Sequence, residues 1–370
     1  MGKPKIRFKG YTDEWEQRKL GDVAQEFKSG NSLKADEIDI TGDYPVYGGN
    51  GLRGYTSTYN HDGEYALIGR QGALCGNMNY SAGKAYFTEH AVVVKADENN
   101  DTRFLYYMLD TMNLGQYSDQ SAQPGLAVNK LVKLENSFPK KEEQQQIGAY
   151  FRSLDHLITL HHRKYEETQK LKKYMLQKMF PQNGRKVPEI RFSGFTEEWE
   201  QRKLDDVVEF LDTMRKPLEG AKRIPGPYPY YGASGIVDYV DGYLFDEELI
   251  LLSEDGANIT DRNYPVCFLA SGKYWVNNHA HVLRTKQENE NNFICNSLER
   301  KDYTQYNTGM AMPKLNKETC KKIPISCPRF EEQKKIGDYF RSLDHLITLH
   351  QQKCDELRNI KKFMLQNMFI

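Results

Sequence analysis

Two short polar segments, one in each half of the chain, carry side chains suited to reading nucleic-acid bases. The first is Gly-Arg-Gln-Gly at 69–72, after an apolar run, and the second is Ser-Glu-Asp-Gly at 253–256. Arginine pairs with guanine and glutamine with adenine, whereas acidic side chains accept a hydrogen bond from cytosine. The pair predicts readers of two different base sequences, and the alternative is two solvated loops whose charges vary freely. The candidate readers are Arg70, Gln71, Glu254 and Asp255.

Two aromatic, glycine-rich turns and a basic cluster supply further candidate DNA-binding residues. The turns are Tyr-Pro-Val-Tyr-Gly-Gly-Asn-Gly at 44–51 and Tyr-Pro-Tyr-Tyr-Gly-Ala-Ser-Gly at 228–235. Basic side chains are suited to phosphate contacts, and a basic cluster precedes the second turn. We therefore predict DNA contacts from the turns and from this cluster. The residues are Tyr47, Asn50, Arg53, Tyr231, Ser234, Arg215, Lys216, Lys222 and Arg223.

Motifs for catalysis or metal binding are weak in this sequence. Residues 49–54 match Gly-x-Gly-x-x-Gly, but the second half keeps one of these glycines, and a glycine-rich turn explains the pattern better. His279 and His281 are spaced to share one strand face, as metal ligands require, yet Val92 stands where the first half would repeat His281. The sequence has no P-loop. We predict no catalytic residue, no metal site and no bound cofactor.

An internal repeat organises all of these candidates. Glu-Trp-Glu-Gln-Arg-Lys-Leu occurs at 14–20 and 198–204, and Tyr-Phe-Arg-Ser-Leu-Asp-His-Leu-Ile-Thr-Leu-His occurs at 150–161 and 339–350. Between these blocks the halves have diverged, although an offset of 184, later 189, still pairs them. The divergent segment between the two repeated blocks of each half, called its middle, is rich in tyrosine, glycine and short β-like runs. This composition predicts a compact α+β domain in each half. We expect the matching segments to have the same function in both halves and the diverged segments to have two different functions.

A long helix is predicted after each divergent middle. Apolar residues recur there at spacings of three and four, which is typical of a coiled-coil seam, and Pro181 ends the first helix. Two such seams in one chain are expected to pair antiparallel. A histidine on each seam either fixes the register or is a half-exposed residue with wet nitrogens. The seam and partner-docking residues are Trp15, Trp199, Ile147, Phe151, Leu154, Ile158, His161, Ile336, Phe340, Leu343, Ile347 and His350.

Composition narrows the class of protein. The 370 residues include 51 basic and 51 acidic side chains, so the net charge of zero argues against a non-specific nucleic-acid binder but not against local patches. No run of 18 apolar residues and no apolar leader occurs, which predicts neither a membrane span nor a secretory signal. Only one of the six cysteines, Cys75, lies in the first half, so the two repeats do not share a disulfide framework or a zinc site. Free thiols in a reducing cytoplasm are therefore expected.

The chain resembles the specificity subunit of a Type I restriction–modification system. The resemblance covers the full length and rests on the tandem arrangement, in which Pro-x-Ile-Arg-Phe-x-Gly at 4–10 and 188–194 opens each half. It implies a non-catalytic subunit in which two target-recognition domains each read half of a bipartite asymmetric DNA site. The antiparallel helices would act as a ruler that sets the spacer between the half-sites.

The resemblance also implies partners, cofactors and a layout. The partners are double-stranded DNA, two methyltransferase (modification) subunits and two motor-nuclease (restriction) subunits, with no membrane, in the cytoplasm at the nucleoid. S-adenosylmethionine, ATP and Mg would serve the assembled complex, with none bound by this chain. The fold class is α+β, a tandem pseudo-twofold repeat with paired helices. Its parts are the first recognition domain (1–141), the first spacer helix (142–180), a linker with the repeat start (181–203), the second recognition domain (204–330) and the second spacer helix (331–370).

Two other functions are compatible with parts of this pattern. A DNA-independent scaffold would clamp a homodimeric protein through the repeated helices, and its middles would have drifted without a shared ligand. An enzyme with an active site in one middle domain is disfavoured because the catalytic motifs are missing. Salt dependence of duplex binding separates the first alternative from DNA recognition, because phosphate contacts give a steep slope.

Overall fold

The computed structural model describes residues 3–118, 125–182 and 184–370. The chain forms two compact units. The first unit contains Met1–His162 with Gln352–Ile370, and the second contains Arg163–Gln351. Both divisions fall inside long helices. Each unit therefore holds the beginning of one long helix and the end of the other, together with one of the two divergent middles.

The first unit is built around a six-stranded sheet in the order β2-β7-β5-β6-β3-β4, with β1 and β8 paired separately. All neighbouring strands are antiparallel except β3 and β6. Apolar residues of β5 and β7 are buried on both faces, which suits their central place in the sheet. The strands are β1 (Glu16–Lys19), β2 (Ala24–Ser29), β3 (Tyr44–Gly48), β4 (Gly51–Thr56), β5 (His61–Gly69), β6 (Met78–Phe87), β7 (Ala91–Ala96) and β8 (Glu135–Phe138).

The second unit repeats this plan with its sheet divided into two four-stranded parts. Their orders are β10-β17-β14-β15 and β12-β11-β16-β13, and β18 pairs with β9. The parallel pair recurs as β11 and β16. The strands are β9 (Glu200–Lys203), β10 (Val208–Phe210), β11 (Pro225–Gly232), β12 (Gly235–Val240), β13 (Phe245–Asp246), β14 (Leu249–Ser253), β15 (Cys267–Ala270), β16 (Lys273–Val276), β17 (Ala280–Thr285) and β18 (Pro324–Cys327).

Short helices cover the sheets, and two long helices follow the middles. The long helices contain 38 and 39 residues, so each is about 57 Å long at 1.5 Å per residue. Both helices start one residue before the predicted positions, two residues after Pro139 and Pro328, which follow β8 and β18. The helices are α1 (Thr102–Thr111), α2 (Val128–Leu131), α3 (Lys141–Lys178), α4 (Leu204–Val207), α5 (Asn258–Asp261), α6 (Asn291–Glu299), α7 (Lys317–Cys320) and α8 (Phe330–Met368).

The long helices run antiparallel where they meet within each unit. In the first unit, Lys361 Nζ lies 2.6 Å from Asp155 Oδ1 and Cys354 Sγ lies 3.6 Å from the Ile158 carbonyl oxygen, so residue numbers run in opposite directions. In the second unit, Lys172 Nζ lies 2.5 Å from Asp344 Oδ1. These contacts confirm the predicted fold class, a tandem α+β repeat whose helices pair antiparallel.

Seam residues predicted from the helical spacing enter the two cores. Ile147, Phe151 and Leu154 are buried in the first unit, and their counterparts Ile336, Phe340 and Leu343 are buried in the second. Further along the helices the predicted positions are only half-buried, although Ile158 still packs against the first core. The residues at these positions are Ile158, Ile347, His161 and His350.

The matching segments that open the two halves, residues 4–20 and 188–204, are called the repeat-start blocks. A tryptophan from each repeat-start block lies inside a core. Trp15 packs edge-on against Phe104, with 6.0 Å between ring centroids, and Trp199 packs against Phe293 at 5.6 Å. Both indoles are buried, so the side chains themselves offer no surface to a partner. Docking of a partner was predicted for Trp15 and Trp199, and it stays a prediction for the surface of the blocks that contain them.

The repeat-start blocks also tie the long helices together within each unit. The Ile6 amide donates to the Asn367 carbonyl near the end of α8, and the Ile190 amide donates to the Lys178 carbonyl at the end of α3, both at 2.9 Å. Two buried ion pairs, Arg7 with Glu143 and Arg191 with Glu332, fix the same blocks to the helix starts. The near-identical sequences therefore do one structural job twice.

Candidate nucleic-acid interface

The two candidate reading loops, residues 69–72 and 253–256, are held by the same backbone scaffold. In the first unit, the Arg70 amide donates to the His90 carbonyl (2.9 Å), and the Arg70 carbonyl accepts from the Leu126 amide (2.9 Å). In the second, the Glu254 amide donates to the His279 carbonyl (2.8 Å), and the Glu254 carbonyl accepts from Leu315 (2.7 Å). Each loop extends a buried strand, so its backbone is fixed while its side chains differ.

A histidine that recurs in both repeats supports each loop through its side chain. His90 Nδ1 and Gln71 Oε1 are joined by a 3.1 Å hydrogen bond, and His279 Nδ1 donates to the Asp255 carboxylate at 2.9 Å. Both imidazoles are partly exposed. These two histidines were missing from the sequence-based candidates, although their recurrence at an offset of 189 was a usable signal. Each loop is therefore a composite of two segments distant in sequence.

The chemistry around the two loops differs sharply. Arg70 is partly buried and donates from Nη1 to the Glu89 carbonyl (3.4 Å); among the described residues, no carboxylate pairs with it. At the corresponding place, Glu254 lies 2.5 Å from Arg215 Nη2 and 3.4 Å from Lys314 Nζ. The first loop thus presents a cation, whereas the Glu254 carboxylate of the second loop is already paired with the mostly buried Arg215 and with Lys314.

The predicted basic cluster of the second unit is largely paired with carboxylates. Arg215 is mostly buried against Glu254, Lys222 lies 2.8 Å from Glu219, and Arg223 lies 3.1 Å from Asp238. Lys216 is exposed, and no ion pair of Lys216 occurs within the part of the chain that the structure describes. Phosphate binding by these four residues stays a prediction, and Lys216 is the member with the fewest competing contacts.

The aromatic-glycine turns lie beside the reading loops in both units. A Cβ atom placed on Gly49 would lie 3.0 Å from the His90 carbonyl oxygen, so the turn approaches the loop closely, and the second unit has Ala233 at the corresponding position. In the second unit, Ser253 Oγ donates to the Ala233 carbonyl at 2.5 Å. The tyrosines of the turns, Tyr47 and Tyr231, are half-buried against neighbouring rings. The exposed predicted residues next to each loop are Asn50, Arg53 and Ser234.

A buried polar network stands behind the second reading loop. His281 Nδ1 contacts Asp212 Oδ2 at 2.8 Å, and its Nε2 donates to the Leu315 carbonyl at 2.7 Å. Burial acts to raise the pKa of Asp212, but the hydrogen bond with His281 and the charge of Arg215 outweigh it, so the pKa lies below its usual value. His281 is thus occupied by a structural role. Within the described residues, no group of three or more potential metal-ligating side chains occurs.

We expect Asp212→Asn to destabilise the second unit by about 2 kcal/mol at pH 7, because a buried charge-assisted hydrogen bond is lost. The pKa of Asp212 is lowered by folding, so its stabilisation is present above the unfolded value of about 3.9 and disappears as pH falls through the folded value. Urea unfolding of both proteins between pH 7 and pH 3 measures this. A difference between them that does not shrink in acid would contradict it.

The family comparison agrees with the architecture of two repeats. A family model described as Type I restriction modification DNA specificity domain matches residues 12–170 and again residues 196–359. The two matches together cover most of the chain and correspond to its two repeats. The chain belongs to this family. In the described residues, no helix is both long and apolar enough to cross a membrane.

Individual relatives fall in the same family. The chain is 42% identical over 156 residues to the Type I restriction enzyme EcoprrI specificity subunit of Escherichia coli. This alignment covers 41% of this chain and 39% of that relative. The alignment thus spans about two-fifths of that relative's length. The MjaVIII specificity subunit of Methanocaldococcus jannaschii is 21% identical over 399 residues, covering 95% of this chain and 91% of its own.

A solved structure shares the whole fold. The S subunit of a Type-I restriction–modification system from M. genitalium superposes with a TM-score of 0.78 and 17% sequence identity. The match covers 100% of this chain and 99% of that one. At this identity the likeness concerns the fold, which is the α+β tandem repeat predicted from the sequence.

Proposed function

We propose that this chain is the DNA-recognition subunit of a Type I restriction–modification complex and reads a bipartite asymmetric site. The observation that carries the proposal is the pair of reading loops. One scaffold holds Arg70 and Gln71 in the first unit and Glu254 and Asp255 in the second. A positive and amide-bearing loop suits purines, whereas an acidic loop suits cytosine amino groups. Two equally built loops of opposite chemistry are what two different half-sites require.

The proposal assigns docking to the faces that recur in both units. Leu157 and its counterpart Leu346 are exposed apolar residues on the long helices, and so are Phe363 and its counterpart Tyr174. The first unit contains Leu157 and Phe363, and the second contains Leu346 and Tyr174. Exposed apolar residues at corresponding positions of the two units support docking of two copies of one modification subunit.

The remaining parts of the complex follow from that docking. Two restriction subunits join through the modification subunits, and the assembly works in the cytoplasm. S-adenosylmethionine, ATP and Mg would be bound by those partners, so this chain contributes recognition and no catalytic group. The two long helices, about 57 Å each, would set the distance between half-sites.

The test is a comparison of methylated DNA motifs in host cells with and without the gene, by single-molecule sequencing. We expect one asymmetric bipartite methyladenine motif that is lost on deletion and restored by the gene. If the modification subunit is expressed and no motif changes, the chain is a scaffold rather than a reader. A purified complex whose affinity for duplex DNA is independent of salt would support the scaffold as well, because a DNA reader releases counterions.

We expect Arg70→Ala to relax recognition of one half-site and to leave the other unchanged. The loss of one bidentate contact costs about 1–3 kcal/mol of discrimination at the base it reads. Asp255→Ala is the matched variant for the second unit, since Glu254→Ala would also release the buried Arg215. Methylation rates on duplexes with either half-site altered measure both effects. Equal changes at both half-sites for either variant would contradict this assignment.

A further inference from the structure

An aromatic cluster with a lysine recurs on the surface of both recognition domains. Tyr44, Tyr59 and Lys84 form it in the first unit, with 4.9 Å between the tyrosine ring centroids and 4.7 Å from Lys84 Nζ to the Tyr59 ring. The second-unit cluster has the same geometry, at 5.2 Å and 4.8 Å. We call each cluster, together with the exposed isoleucine four residues before its first tyrosine, a hairpin patch. The second patch consists of Tyr228, Tyr243, Lys273 and Ile224, and the first is completed by Ile40.

The hairpin patches are exposed, so packing does not explain their recurrence. Tyr59 and Tyr243 are each 43% exposed, and Ile40 and Ile224 are 93% and 66% exposed. Surface positions close by have diverged, since Arg53 corresponds to Val237. Singly exposed apolar residues are ordinary on a protein surface, whereas exposed aromatic and aliphatic residues that recur at the same place in two domains are typical of an interaction surface. Retention of the same patch in two diverged domains indicates one ligand bound in the same way by both.

The charge of each patch argues against a DNA phosphate as that ligand. Asp62 lies opposite Lys84 in the register of β5 and β6, and Asp246 lies opposite Lys273 in that of β13 and β16. Each lysine is therefore offset by a carboxylate on the neighbouring strand, and the patch has no net positive charge to attract a polyanion. Tyrosine is instead one of the residues enriched at protein–protein hot spots.

We propose that each hairpin patch docks one copy of the same protein partner, the modification subunit, as a second contact in addition to the helices. The partner surface would have an apolar pocket for the isoleucine and tyrosines and a carboxylate for the lysine. The inference rests on the proposed function, because that function supplies a partner present in two copies. Each recognition domain would thereby be fixed to its own modification subunit.

The experiment titrates the full-length chain with the purified modification subunit and measures both binding steps by calorimetry and native mass spectrometry. Tyr59→Ala with Lys84→Ala alters the first patch, Tyr243→Ala with Lys273→Ala alters the second, and a four-fold variant alters both. Loss of a tyrosine hot spot weakens binding about thirtyfold. We expect one weakened step for each double variant and two for the four-fold variant. Tyr264→Ala, an exposed tyrosine outside the patches, is the matched control and should leave both steps unchanged.

The outcomes separate the inference from the proposed function. Unchanged partner binding together with weaker DNA binding and a salt slope lower by about 0.9 per lysine would assign the patches to phosphates and overturn the inference. Unchanged binding to both ligands would reduce the patch to a brace of the hairpin and also overturn it. If the unsubstituted chain binds no modification subunit, the proposed function fails, and the inference with it. Tyr59→Phe and Tyr243→Phe keep the ring packing and should retain partner binding. Urea unfolding midpoints of the alanine variants equal to that of the unsubstituted chain exclude misfolding as the cause.

Discussion

Adding seven residues to both long helices is expected to lengthen the spacer of the recognised DNA site by about three base pairs while both half-sites stay the same. Seven residues add two helical turns, or about 10.5 Å, which matches about three steps of 3.4 Å along the duplex. The added turns return the seam to nearly the same face, so the apolar pairing continues. The insertion must enter α3 and α8 at positions that face each other, near Ile158 and Cys354, which are in contact.

We expect methylation of the motif with the original spacer to be lost almost completely, because a duplex with that spacing can no longer contact both reading loops. Methylome sequencing of cells carrying the altered gene reads the new motif directly. Insertion into α3 alone is the control, since it leaves the seam out of register and should abolish methylation of either motif. A methylated motif with the original spacer in the double insertion would show that the helices do not act as the ruler.

The fold was accessible from the sequence because its main signals are local or repeated. Spacings of three and four placed Ile147, Phe151 and Leu154 on one face of a helix, and these residues are buried. The second copy gave the same pattern at Ile336, Phe340 and Leu343. Periodicity does not tell which parts of two equal helices share a core, however. Burial fades at His161 and His350 because they lie where the helices leave the domain cores, which depends on tertiary packing.

The candidate site was less accessible because its geometry is set by residues distant in sequence. The reading loops could be found, since each ends an apolar strand with polar residues. The internal pairing of the second loop could not, because Arg215 turns inward to Glu254 only after β10, β14 and β17 have paired. A basic run in sequence thus became mainly a set of internal ion pairs. The hairpin patches could not be predicted from the sequence for the same reason, since Tyr44, Tyr59 and Lys84 belong to three separate segments.

Removal of a repeat-start carboxylate is expected to destabilise its own unit by about 2–3 kcal/mol, because the partly buried arginine loses both of its charge-assisted hydrogen bonds to that carboxylate. Glu143 receives two hydrogen bonds from Arg7, at 2.6 and 2.7 Å, and Glu332 receives two from Arg191, both at 2.7 Å. Both glutamates are almost fully buried. Glu143→Ala should therefore weaken the first unit and Glu332→Ala the second.

Hydrogen exchange read by mass spectrometry can assign each loss to a unit, because peptides from the two middles differ in sequence. The double replacement Arg7→Met with Glu143→Leu is the control. It removes both charges and keeps apolar volume, so it should cost far less than Glu143→Ala alone. A Glu143→Ala protein within about 0.5 kcal/mol of the unsubstituted one would contradict this view of the block. The expected result would explain why the blocks stayed alike while the reading loops diverged: the ion pair joins a helix start to the domain that it must carry, whichever bases that domain reads.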